Sequence, residues 1–187
     1  MAPDLYYAGV GSRQTPEHIL QLMNEVARYL ESEGWILRSG AAEGADSAFE
    51  EGIHDEAKEI YLPWAGYNNS GSRLNPKEYP FTQMEQDFTA WFHPAWKRCS
   101  PSARLLHQRN TRIVLGLEAI HGPKVKPSEF LIAWTVKGIP TGGTGQALRI
   151  AKYHDIPIFN FGAANSSKEL EKMLLDIDEL QRRIKNG

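Results

Sequence analysis

The chain of 187 residues is long enough for one substantial hydrophobic core and short for two. Hydrophobic residues at 41% and charged residues at 24% exclude a disordered or fibrous protein, and a formal net charge of -2 excludes the general basic excess behind non-specific nucleic-acid binding. No apolar run reaches the ~20 residues of a membrane span, the opening "MAPDLYYAGVG" has no export-signal pattern, and the single cysteine, Cys99, precludes an internal disulfide, so a cytoplasmic protein off the membrane is expected.

In chain order, "LYYAGVGS", Leu5 to Ser12, predicts a buried strand that stops at Gly9 and Gly11 in a tight turn. Thr15, Pro16 and Glu17 predict a helix start with Thr15 as N-cap and the proline at the first helical position. Ile19, Leu22, Met23, Val26, Ala27 and Leu30 give that helix one apolar face, and Gly34 stands where a C-terminal cap belongs. "WILRSG", Trp35 to Gly40, predicts a second strand, followed by a loop that turns into a helix, and "EIYLPW", Glu59 to Trp64, a third. This alternation predicts an α/β fold: a Rossmann-like three-layer sandwich with a mostly parallel central sheet, forming one domain over residues 1–187.

The pattern breaks from Ala65 to about Ser102, where turn formers give way to "MEQDFTAWFHPAWKRC", aromatic without a clear period. This segment is expected to be an insertion or lid, either walling a pocket or forming a surface excursion around Trp91, Phe92 and Trp96. Ser102 to Ala119 predicts a helix with Leu105, Leu106, Ile113, Val114 and Leu117 as its apolar positions. Lys97, Arg98, Arg104, Arg109 and Arg112 form either a local basic patch or a solvated helix face. Glu129 to Thr135 predicts a buried strand, then come a glycine-led helix through about His154 and a last strand from Ile156 to Phe161. A C-terminal helix at about 166–185 is expected to open with a capping box of Ser166 and Glu169. Its stripe of Leu170, Leu174, Ile177, Leu180 and Ile184 either packs on the sheet or makes a homodimer.

Three strand-to-helix junctions are small or polar: "GVGSRQTP", "SGAAEGAD" and "TGGTGQAL". In an open parallel sheet such junctions gather at the carboxyl ends of the strands, where helix N-termini offer free N–H groups and a positive dipole end. Glycine lets backbone approach an anion closely, so a phosphate is the expected guest. Neither "GVGSRQTP" nor "GGTGQALR" ends in the Gly-Lys-Ser/Thr of a triphosphate loop, and Gln14 stands where a dinucleotide fingerprint needs its third glycine. Arg13 and Arg109 are candidate phosphate forks, with surface salt bridges as the plainer reading, and Asn110 reads as a base-edge or loop contact.

"GVGSR", "LRSGAAEGADSAFEEG", "HQRNTRIVLG" and "TGGTGQAL" occur in the order seen in the SLOG superfamily of Rossmann-like proteins, which the chain resembles over most of residues 5 to 161. The likeness is greatest to the DNA-processing protein A family and more distant to the Lonely Guy phosphoribohydrolases. Ser39, Gly40, Ala41, Gly44 and Asp46 look like the serine-glycine turn of the first family, and Arg109, Asn110 and, less well, Arg112 look like its Arg-Asn-Arg segment. The resemblance implies a nucleotide-binding or nucleic-acid-associated domain, of a type also found among phage and defence proteins, with Gly11, Ser12, Arg13, Gly142, Gly143, Thr144 and Gly145 completing the phosphate-binding set. Its partners would be a nucleotide or nucleotide-derived small molecule, or single-stranded DNA in a recombination-mediator reading.

The Lonely Guy motif also tests for catalysis. Gly142, Gly143, Thr144 and Gly145 match its glycines, but Gln146 and Arg149 stand at its threonine and glutamate. An arginine cannot replace a carboxylate that stabilises positive charge on a ribosyl ring. An N-glycosidic hydrolase or deoxyribosyl transferase would therefore need Asp46 or Glu118 as substitute catalytic acid, and Asp46 reads equally as a ligand contact or a helix-terminal residue. His18, His54, His93, His121 and His154 show no pairing with cysteine or carboxylates at ligand spacing, so no metal site is expected. As a nucleophile, Cys99 has no histidine partner evident in sequence, though folding could bring one. No cofactor is required beyond magnesium accompanying a nucleotide phosphate.

Overall fold

A computed structural model describes residues 4–117 and 126–187. Glu118, the second candidate acid, and His121 lie outside the described residues. Five strands form one all-parallel sheet in the order β3-β2-β1-β4-β5: β1 (Leu5–Gly11), β2 (Trp35–Ser39), β3 (Lys58–Ile60), β4 (Phe130–Trp134) and β5 (Ile158–Asn160). β1 pairs with β2 on one side and β4 on the other, with Ala8 opposite both Arg38 and Leu131. Six α-helices complete the described chain: α1 (Glu17–Ser32), α2 (Ala45–Glu50), α3 (Gln83–Phe92), α4 (Pro101–Leu115), α5 (Gly142–Tyr153) and α6 (Ser167–Asn186).

Alternation along the strands divides the core into two layers, because successive side chains of a strand leave opposite faces. Tyr7, Leu37, Phe130 and Ile132 pack with Met23 and Leu30 of α1, Phe49 of α2, and Ile177 and Leu180 of α6. Ala8, Val10, Leu131 and Ala133 pack with Ile113 and Val114 of α4 and with Ala147 and Ile150 of α5. β4 is covered on both faces, which is why "FLIA" is uninterrupted by polar residues. The result is the expected Rossmann-like three-layer sandwich. No described helix is long and apolar enough to cross a membrane.

Local chemistry departs from the sequence reading at several ends. Thr15 does not cap α1: Pro16 holds the N-cap position, and the Thr15 hydroxyl donates to the Ser12 carbonyl at 2.6 Å, closing the turn after β1. Gly34 follows α1 with φ +85 and donates to the Glu31 carbonyl, as a left-handed helix stop should. β3 ends at Ile60, short of the expected Trp64, and α4 ends at Leu115, where Gly116 turns with φ +83, rather than at Ala119. At α6 the capping box is only half formed. Ser166 accepts from Glu169 N–H, while the Glu169 carboxylate bonds Asn165 N–H one residue before the cap. The α6 stripe packs into the chain's own core, and Gln181 accepts from the buried Trp35 indole at 3.2 Å.

The structure adds most to the sequence reading at residues 65–102. "TQME" is a complete capping box, Thr82 accepting from Glu85 N–H and Glu85 from Thr82 N–H, and it opens α3 within the segment read as aperiodic. Trp91 and Phe92 form their aromatic cluster with Tyr153 of α5, whereas Trp96 packs beside His93 and His107. The basic run divides: Lys97 and Arg98 are exposed and Arg104 half-buried, while Arg109 and Arg112 are buried. Arg112 holds the segment down by donating to both Glu85 carboxylate oxygens at 2.7 and 2.9 Å and to the Tyr79 and Pro80 carbonyls. Removing one partner of such a buried pair leaves the other charge uncompensated. Glu85→Ala is therefore expected to cost about 3–5 kcal/mol in urea denaturation; a loss below about 1 kcal/mol, the scale of an exposed pair, would show that this bridge does not anchor α3.

Candidate functional site

The strand order reverses between β1 and β4: α1 leaves β1 on one face of the sheet, and α5 leaves β4 on the other. The chain thus parts at their carboxyl ends and leaves a crevice, the usual ligand position in this architecture. A cavity of about 420 Å³ lies there, lined by Val10 to Gln14, Ala42, Asp46, Tyr67, Leu106, Arg109, Asn110, Thr135, Val136 and Thr141 to Thr144.

Each wall has a local cause. After β1, Ser12 N–H donates to the Trp134 carbonyl, and the Ser12 side chain accepts from Gln14 N–H, fixing a tight turn with Arg13 exposed on it. Among the described residues Arg13 makes no ion pair. After β4, no side chain caps α5, and Gly142 lies at φ +61 in open space. Gly145 N–H is the first to find a backbone partner there, the Thr141 carbonyl, so the amides of Gly142, Gly143 and Thr144 precede the helical ladder. Asn110 Nδ2 donates to the Gly143 carbonyl at 2.8 Å and ties this helix start to α4.

The floor is a buried ion pair. Arg109 reaches from α4 across Gly40, donates to the Gly40 carbonyl, and places Nη1 3.5 Å from Asp46 Oδ2. A Cβ on residue 40 would overlap the guanidinium, so glycine is required for this crossing. Arg109 Nε is buried with no hydrogen-bond partner. Burial raises the Asp46 carboxyl above its ordinary value, against the opposing pull of Arg109 and of the Ala42, Gly11 and Gly40 amides.

One turn on in α2, Glu50 accepts from Ala41 N–H at 2.8 Å. Burial, followed by the neighbouring Asp46 charge, pushes Glu50 up to about 7. The sequence reading missed this residue, as it missed Tyr67, Thr135 and Thr141. Its spacing of i+4 from Asp46 was the available signal for Glu50; for Tyr67, which the Asn68 bond to the Ala41 carbonyl brings in from the inserted segment, there was none.

The expected phosphate-binding residues divide into two groups. Gly11, Ser12, Arg13, Asp46, Arg109, Asn110, Gly142, Gly143 and Thr144 line the cavity. Ser39, Gly40, Ala41, Gly44 and Gly145 stand outside its lining. Ser39 donates to the Gly9 carbonyl at 2.8 Å, Gly44 packs at φ +89 against Arg13 Cα, and Gly145 lets the start of α5 press against Pro140. Gln146 and Arg149, at the positions where the Lonely Guy motif has threonine and glutamate, turn away from the cavity. Gln146 donates to the Thr89 carbonyl, while Arg149 donates to the Phe92 carbonyl and to Gln146. Both tie α5 to α3. Asp46 is left as the carboxylate on the cavity wall among the described residues.

Folding supplies Cys99 with the histidine partners that no sequence spacing shows. His93, Cys99 and His107 come together beside the start of α4, all outside the cavity lining.

No protein-family model matches the sequence, and no curated protein matches it. Among solved structures, the chain is similar to one described as giving structural insights into the single-stranded DNA binding mode of DNA processing protein A from Helicobacter pylori. The TM-score is 0.53 at 19% identity, over 83% of this chain and 64% of that one, so this chain spans somewhat under two thirds of that protein's length. The likeness is one of fold.

Glu50 makes the site testable through stability. The folded chain holds its proton more tightly than the unfolded one. The neutral carboxyl therefore adds stability that is fully present below about pH 4.5 and lost as pH rises through about 7. Thermal melts across that range should fall more steeply for the wild type than for Glu50→Gln, with a difference of up to about 3 kcal/mol; parallel pH profiles would contradict the assignment.

Proposed function

We propose that the chain binds a nucleotide, or the phosphorylated end of a nucleic acid, with the phosphate seated in the β1/β4 crevice. The observation that carries this reading is the meeting of two unsatisfied elements on one cavity: the uncapped start of α5, with three amides ahead of its ladder, and Arg13 without an anionic partner among the described residues. Amides at a helix N-terminus suit an anion, and a guanidinium suits phosphate geometry in particular. Asn110 and Thr144 offer polar contacts for the sugar or base, and Tyr67 offers a ring. No cofactor is needed beyond magnesium arriving on a polyphosphate.

The similarity to a protein whose structure was described for its single-stranded DNA binding favours a second reading, in which the anion is one phosphate of a strand. The burial of Arg109 and Arg112 weakens it, because they cannot serve as the surface track that a strand would follow.

Calorimetric titration of mononucleotides, cyclic dinucleotides and short single strands separates the two. The preferred reading expects a mononucleotide to bind, and Arg13→Ala to weaken it about tenfold or more, the loss of one charge-assisted contact of ~1.5–3 kcal/mol. Binding by strands alone, falling steeply with salt, would move the assignment to the second reading. No binding by any ligand would refute both.

A further inference from the structure

His93 follows α3, Cys99 precedes α4, and His107 lies two turns into α4. Their ligand atoms all lie within 4.8 Å of one another. Cys99 Sγ is 3.7 Å from His93 Nδ1 and 3.8 Å from Nε2, and the two imidazole centroids are 4.2 Å apart. With zinc–sulfur and zinc–nitrogen bonds of ~2.3 and ~2.0 Å, a tetrahedral angle separates sulfur from nitrogen by about 3.5 Å. The three groups are near enough to share one ion, but Cys99 Sγ is nearly equidistant from the two His93 nitrogens, so the His93 ring must turn for one lone pair to face the ion.

A second observation points the same way. His107 is 8% exposed, and its Nδ1 is buried with no hydrogen-bond partner. A buried imidazole nitrogen normally finds a donor or an acceptor, and an orphan one has a cost that a metal ion would remove. Nothing in the nucleotide reading uses this nitrogen, because His107 stands outside the cavity lining.

We propose that His93, Cys99 and His107 form a zinc site that pins the α3–α4 connection. One thiolate and two imidazoles suit zinc and disfavour magnesium or calcium, which take oxygen ligands. Three protein ligands leave the fourth position to water. On binding, the Cys99 thiol gives up its proton to solvent as the sulfur–zinc bond forms, and the thiol's contact to the Ala95 carbonyl ends. If His93 ligates through Nδ1, the ion takes the lone pair that now accepts from Ala95 N–H at 3.1 Å, so the short turn at Ala95 must shift slightly.

The probe is cobalt(II), titrated into chelator-treated full-length protein near neutral pH without nucleotide, followed by displacement with zinc. The proposal expects tetrahedral-strength visible bands and a near-ultraviolet thiolate band that saturate at one ion per chain and vanish on adding zinc. Cys99→Ser should abolish the thiolate band, and Cys99→Ser and His93→Ala should each weaken zinc by at least about tenfold, since even outer-sphere changes cost that much. Both positions are half-buried, so these variants remain informative if His107→Ala does not fold. His18→Ala, at an exposed histidine outside the cluster, should bind as the wild type does. A weak octahedral spectrum without a thiolate band, or equal zinc affinity in the wild type and both variants, would overturn the proposal. Neither outcome bears on the nucleotide crevice.

Discussion

Arg109 is the member on which the site depends. It leaves a helix on one face of the sheet, crosses the carboxyl edge above β2, and ends against Gly40 and Asp46, which belong to the junction feeding a helix on the other face. A buried guanidinium is expensive to desolvate, so the crossing persists only because a carboxylate and a carbonyl receive it, and because residue 40 has no side chain in the way. The same arrangement holds the walls in register. Asp46 is drawn on by the Gly11, Gly40 and Ala42 amides, Gly44 packs on Arg13, and Asn110, next to Arg109, holds the start of α5.

This division of labour changes what the small residues mean. Glycines at three junctions suggest three loops that all face a ligand, yet the glycines of only two of them line the cavity, Gly11 after β1 and Gly142 and Gly143 after β4. The β2–α2 junction instead supplies the floor: Ser39 and Gly40 serve neighbouring side chains and carbonyls, and Ala42 and Asp46 are its contributions to the cavity lining. The crevice combines a buried charged floor with polar walls in which, among the described residues, the amides of Gly142, Gly143 and Thr144 precede the α5 ladder and Arg13 makes no ion pair.

The fold was legible because its signals are periodic. "LYYAGVG", "WILRS" and "FLIAW" read as buried strands, and the α1 and α6 stripes fixed which faces turn inward. Residues 65–102 were less legible because their stability is not periodic. Arg112, 27 to 33 residues downstream of its partners, grips two carbonyls and a carboxylate there, and no local window shows such a tie. The Thr82–Glu85 capping box was visible in "TQME" but was masked by the aromatic crowding after it. Burial was the other hidden quantity. Arg109 reads in sequence as a phosphate fork or a surface salt bridge and Arg112 as part of a basic run, yet both are buried, while Gln146 and Arg149, which depart from the hydrolase motif, tie α5 to α3. The meeting of His93, Cys99 and His107 likewise depends on how the α3–α4 connection folds back.

The central claim is that the anion sits at the start of α5 and on the β1 turn. Amide chemical shifts of the nitrogen-15-labelled protein, followed while a mononucleotide is added, test it most directly. The account predicts that the largest shifts fall on Gly142, Gly143 and Thr144 and on Ser12 and Arg13, with the amides of α6 unmoved. Saturable shifts centred elsewhere, or none at these five amides, would contradict it.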